Sequence, residues 1–135
     1  MPRLNHIAIV VEDLEAAVPF FRDLLGLPLE RIAEVPAEAV RVAFFPTEGG
    51  EIELVQPTTP DSGVARFLAR RGPGLHHLCV EVEDLEGIMG RLREAGVPLI
   101  HEAPLVGSDG TRYAFIHPKG AFGVLIELYE RPGHA

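Results

Sequence analysis

Tryptophan is absent from this chain, and cysteine and lysine each occur once, as Cys79 and Lys119. A lone cysteine rules out an intrachain disulfide and makes a reducing cytoplasm the expected compartment. No long apolar run exists: charge interrupts every apolar stretch before it could span a membrane. A strand pattern that starts by Leu4 leaves no room for a signal peptide. Positive charge is scarce too, with 12 Lys+Arg against 20 Asp+Glu and a net charge of −8. That balance argues against general nucleic-acid or anionic-membrane binding, though not against an anionic small molecule, for which the local field matters more. Hydrophobic residues are plentiful at 47 %, too many for a disordered chain. At 135 residues the chain has the length of one domain and can bury a core without disulfides.

The sequence repeats itself. Residues 4–15 read LNHIAIVVEDLE and residues 75–86 read LHHLCVEVEDLE, an offset of 77 − 6 = 71. Arg41, Ala43 and Phe44 match Arg112, Ala114 and Phe115 at the same offset. Ile52-Glu53-Leu54 matches Ile126-Glu127-Leu128 at 127 − 53 = 74, so the second copy carries a short insertion, expected near Gly107–Gly110. Three ordered blocks define two modules, about 1–72 and 73–135. Each starts with a β-branched, apolar strand, Leu4–Val11 or Leu75–Val82. Asp13 and Asp84 then cap helices that end before Gly26 and at Gly96. Further strands are expected near 29–35, 40–46 and 50–57, and near 97–102, 111–117 and 123–130. A short helix capped at Asp61-Ser62 and running through Arg71 links the modules. The expected class is α+β: two tandem βαβββ modules forming a curved mixed sheet, the whole chain acting as one domain.

Side chains alternate along a strand. Ile7, Ile9 and Val11 make an apolar face for the helix to cover, which puts His6 on the opposite face. The same alternation puts His77, with Cys79 and Glu81, and Glu127, with Leu125 and Tyr129, on the uncovered face. Glu53 is the repeat partner of Glu127. Modules packed about a pseudo-twofold axis would bring His6, Glu53, His77 and Glu127 together in a cleft. Two imidazoles and two carboxylates suit a hard or borderline divalent ion: Co²⁺, the favoured one, or Mn²⁺, Ni²⁺, Mg²⁺ or Zn²⁺. A single strand histidine is more often a core or surface residue than a ligand. A carboxylate in an apolar strand needs a partner, and four such residues in symmetric pairs outweigh the plainer explanation. His76 and His101 lack that symmetry and are expected to be structural or exposed; His134 is expected in the C-terminal tail. Cys79 reads as a small core residue.

Paired βαβββ modules bearing His…Glu…His…Glu resemble the glyoxalase/bleomycin-resistance/dioxygenase (vicinal oxygen chelate) superfamily. Within it, PDSGVARFLARRGPGLHH (60–77) and HPK followed by GVLIEL (117–119, 123–128) are similar to the methylmalonyl-CoA epimerase family. The resemblance covers about residues 3–130. It implies one divalent ion on His6, Glu53, His77 and Glu127, and an acyl-CoA substrate. The implied reaction interconverts (2R)- and (2S)-methylmalonyl-CoA by moving one proton at C2 through a metal-stabilised enolate. It further implies that Glu127 exchanges the C2 proton, that the loop holding His117 and Lys119 borders the substrate, and that the protein forms a homodimer. Some relatives carry Gln at the position of Glu53. An acidic residue proposed as a second base in some relatives is replaced here by Val42. Two other activities share the scaffold: a glyoxalase I-type lyase acting on a glutathione hemithioacetal, and a metal-free small-molecule-binding module. The HPK segment speaks against the first, and the intact ligand set against the second.

Overall fold

The computed structural model describes residues 1–131, so His134 lies outside the described residues. The chain divides into two compact units, one of residues His6–His76, the other of Met1–Asn5 with the chain from His77 onward. The first module holds β1 (Arg3–Val10), α1 (Leu14–Pro19), β2 (Arg31–Val35), β3 (Val40–Thr47) and β4 (Gly50–Pro57), followed by α2 (Gly63–Arg71). Its strands lie in the order β2-β3-β4-β1; β4 and β1 run parallel, the other neighbours antiparallel. The second holds β5 (Gly74–Glu81), α3 (Leu85–Glu94), β6 (Leu105–Val106), β7 (Arg112–Ile116) and β8 (Leu125–Glu130). Here β5 and β8 run parallel, and β7 joins β8 and β6 antiparallel. Both modules are βαβββ, the α+β architecture the repeat implies. Among the described residues no helix is long and apolar enough to cross a membrane.

The repeat extends to individual hydrogen bonds. Asp13 Oδ1 accepts from Glu15 N–H at the start of α1, and Asp84 Oδ1 from Gly87 N–H at the start of α3, both at 3.1 Å. Gln56 Oε1 accepts from Leu14 N–H at 2.7 Å. Its repeat partner Glu130 accepts from Leu85 N–H at the same distance. Arg41 donates to Glu15 and Arg112 to Glu86, again one offset apart. Helix and sheet are therefore tied at the same points in each copy. Apolar side chains then fill the space between them. In the first module these are Leu14 and Val18 of α1 with Ala43, Phe45 and Leu54; in the second, Leu85 and Met89 of α3 with Ala114, Ile116 and Leu128.

Three details depart from expectation. The first helix is not α-helical to Leu25. Pro19 has no N–H for the i−4 bond, and Phe20–Leu24 widen into a π turn in which Leu25 N–H reaches Phe20 O. The segment 97–102 is not a strand. Pro98 and Pro104 each remove a ladder donor, so only Leu99 bridges to Ile116, and the edge strand forms later at Leu105–Val106. Finally, the insertion in the second copy is not at Gly107–Gly110. The offset still stands at 71 at Phe115 and has become 74 by Ile126, so the extra residues lie between them. There, the tight turn joining β3 to β4 is replaced by the longer loop 117–124, with a 3₁₀ turn at Pro118–Gly120.

Candidate metal centre

Strand register positions both carboxylates in the same way. In the first module Glu53 lies opposite Ala8 of β1 on one side and Phe44 of β3 on the other. In the second, Glu127 lies opposite Cys79 of β5 and Phe115 of β7. Ala8 and Cys79 are small and fully buried, which leaves room beside the carboxylate for the histidine two residues earlier in each strand. His6 Nδ1 is 3.3 Å from Glu53 Oε2, and His77 Nε2 is 3.5 Å from Glu127 Oε1. All four side chains are only 11–16 % exposed. The His77 ring meets Phe115 edge-on, with centroids 6.2 Å apart, which restricts its rotation. The structure thus brings His6 to Glu53 and His77 to Glu127, as the alternation along the strands requires.

The donors fit a divalent ion. Each unit offers one imidazole nitrogen and one carboxylate oxygen. Two adjacent ligand atoms on an octahedral ion with bonds of about 2.1 Å stand about 3 Å apart. Both His–Glu separations lie close to that value, so small side-chain adjustments suffice.

The surrounding side chains sort into roles. Val42 is 4 % exposed and packs with Ala8, Val40 and Val55 beneath Val64 of α2, an environment that a carboxylate could not share without a partner. His76 stacks edge-on against Phe67 at 4.9 Å, His101 is exposed, and Cys79 is buried. His117 Nδ1 accepts from Lys119 N–H at 3.0 Å, which closes the 3₁₀ turn and leaves the Lys119 side chain exposed. Glu81, on the same face as His77, receives hydrogen bonds from Asn5 Nδ2 at 3.1 Å and Arg131 Nε at 2.6 Å. Burial favours its protonated form, but those two donors and the charges of Arg131 and Arg3 outweigh it and hold the carboxyl below the usual range. Sequence reasoning missed the helix-capping pair Gln56 and Glu130, although the 74-residue offset links them. It also missed Tyr113, which the 71-residue offset pairs with Val42.

Two βαβββ modules, each with a His–Glu pair on the strand face opposite its first helix, define a class of paired-module proteins whose donor set can hold a divalent ion. The profile of the glyoxalase/bleomycin resistance protein/dioxygenase superfamily matches residues 5–115, and the chain belongs to that superfamily. It is 40 % identical to the ethylmalonyl-CoA/methylmalonyl-CoA epimerase of Cereibacter sphaeroides over 128 residues, covering 93 % of this chain and 96 % of the relative. The crystal structure of methylmalonyl-CoA epimerase from Mycobacterium tuberculosis superposes with a TM-score of 0.81 at 39 % identity, over 95 % of this chain and 87 % of that one. A methylmalonyl-CoA epimerase in complex with methylmalonyl-CoA and NH₄⁺ superposes with a TM-score of 0.82 at 33 % identity, over 99 % and 97 %.

Proposed function

We propose that this protein epimerises methylmalonyl-CoA at C2, using one divalent ion held jointly by His6, Glu53, His77 and Glu127. The observation that carries the reading is the pair of repeat-equivalent His–Glu couples, 3.3 and 3.5 Å apart, on the strand face opposite α1 in one module and opposite α3 in the other. Likeness over nearly the full length to epimerases that act on this thioester supports the substrate. The two modules, about 1–72 and 73–135, work as one catalytic domain.

C2 of the substrate lies between a thioester carbonyl and a carboxylate, so its proton is acidic for a C–H. A bound divalent ion supplies Lewis acidity that offsets the charge developing on the thioester oxygen, worth several kcal/mol. The neutral imidazoles of His6 and His77 and the carboxylate of Glu53 would hold that ion. Glu127 Oε takes the C2 proton. The substrate is then planar at C2, and a proton delivered to the opposite face, from water where Val42 offers none, yields the other epimer, while the proton on Glu127 returns to the hydroxide left behind. Partial burial keeps the carboxylate of Glu127 from full hydration. Lys119, exposed on its hydrogen-bonded turn, meets the CoA phosphates as a point charge, and His117 fixes that turn. Co²⁺ as the preferred ion, a homodimer and a cytoplasmic location complete the reading. Metal analysis of the purified protein, followed by a C2–H solvent-exchange assay with methylmalonyl-CoA, tests it.

A further inference from the structure

The repeat is broken at one position of the ligand-bearing face. In the first module Val42, on the face shared with Glu53, is sealed in the Ala8–Val40–Val42–Val55 cluster under Val64 of α2. Its partner one offset on is Tyr113 of β7. Tyr113 lies on the face of Glu127, since Phe115, two residues along, is the direct partner of Glu127, and Tyr113 itself is the direct partner of Tyr129. The Tyr113 ring meets Phe115 edge-on at 6.1 Å, and Phe115 in turn meets His77 at 6.2 Å. Tyr113 is therefore the second ring out from a proposed metal ligand. It is partly buried, and among the described residues its phenol has no hydrogen-bond partner. The neighbouring phenol differs: Tyr129 accepts from Thr111 Oγ1 at 3.3 Å. Two arginines of this unit are engaged by carboxylates as well, Arg131 by Glu81 and Arg112 by Glu86 and Glu130.

Among the described residues no polar side-chain atom is buried without a partner, so the Tyr113 oxygen is open to solvent and its O–H is available to a ligand. We propose that Tyr113 is a substrate-binding residue whose O–H donates to the carboxylate of the acyl group, and that this contact distinguishes a 2-carboxyacyl-CoA from a plain acyl-CoA. The inference rests on the epimerase reading. A carboxylate has two oxygens and about four lone-pair sites to satisfy; a thioester oxygen carries no net charge. A phenol donating to an anion makes the stronger, charge-assisted bond, so discrimination falls on the carboxylate. The sealed Val42 cluster offers no such donor in the first module. The ligand-bearing faces of the two modules therefore differ in polarity at this repeat position.

The test compares wild type and Tyr113→Phe, both loaded with Co²⁺, by calorimetric titration with methylmalonyl-CoA and with propionyl-CoA, which lacks the carboxylate. The wild type is also assayed for C2 deuterium exchange. Tyr113→Phe is expected to raise Kd for methylmalonyl-CoA about tenfold or more, to leave Kd for propionyl-CoA within about twofold, and to unfold at the same temperature as wild type. Equal weakening for both ligands, or none for either, overturns the assignment of Tyr113 while wild-type exchange leaves the reaction standing. A wild type that shows no exchange and binds both thioesters alike overturns the reaction, and this inference with it.

Discussion

Glu53 and Glu127 are matched in register, burial and histidine partner, yet the proposed mechanism asks different things of them. A ligand at the position of Glu53 needs only an oxygen, which the amide of glutamine supplies. A proton-exchanging ligand at Glu127 needs a carboxylate. Glu53→Gln should keep the metal and most activity; Glu127→Gln should keep the metal and lose about 10²–10⁴-fold in kcat. Metal content and kcat measured side by side decide this. A second residue-scale prediction concerns Glu130, which is 6 % exposed, accepts from Leu85 N–H and faces Arg112 at 3.3 Å. Glu130→Ala strands the helix N–H and removes one of the two carboxylate partners of Arg112, and should cost about 1–3 kcal/mol in urea unfolding. Glu130→Gln should cost far less, because the neutral Gln56 already performs the same capping in the other module.

At the scale of elements, the loop between β7 and β8 is where the second module departs most from the first. His117 N–H donates to Pro98 O at 2.9 Å, and a Cβ on Gly120 would lie 2.7 Å from Val97 Cγ1 and 2.8 Å from Pro98 Cδ. Gly120 lets the turn bearing Lys119 seat against Val97–Pro98. Gly120→Val should therefore displace the loop, lower stability by about 1–3 kcal/mol, and raise KM for the acyl-CoA more than it lowers kcat; steady-state kinetics with thermal unfolding checks this. The elements themselves were largely legible in the sequence, because strand alternation and Asp caps are local signals. The His–Glu couples were legible because the repeat doubles each signal. What escaped depended on backbone context. The π turn after Pro19 and the late edge strand at Leu105–Val106 follow from how a missing N–H is accommodated, and apolar patterning does not record that. The glycine-rich stretch Gly107–Gly110 has the composition of an inserted loop but adds no residues, because the offset of 71 still holds at Phe115.

At the scale of the whole molecule, acid should act in two separable ways. The carboxyl of Glu81 is held low in the fold, so it is ionised in the native state at pH values where the unfolded chain, near about 4.3, begins to protonate. Its contribution is fully present above that unfolded value and is lost as pH falls through the lower native one. Glu81→Gln should flatten the acid limb of the stability curve, measured by urea unfolding between about pH 3 and 6, and leave the neutral region less affected. Metal retention should weaken on acidification, because His6 and His77 would bind an ion only as neutral imidazoles. Chelation at neutral pH should abolish activity, and Co²⁺ or Mn²⁺ should restore it. The most direct test of the central claim is a single experiment in D₂O with metal-loaded protein and one pure epimer of methylmalonyl-CoA. The account predicts racemisation at C2 with deuterium entering the product, and loss of both on chelation. A substrate that keeps its configuration and its C2 proton with metal fully bound would contradict it.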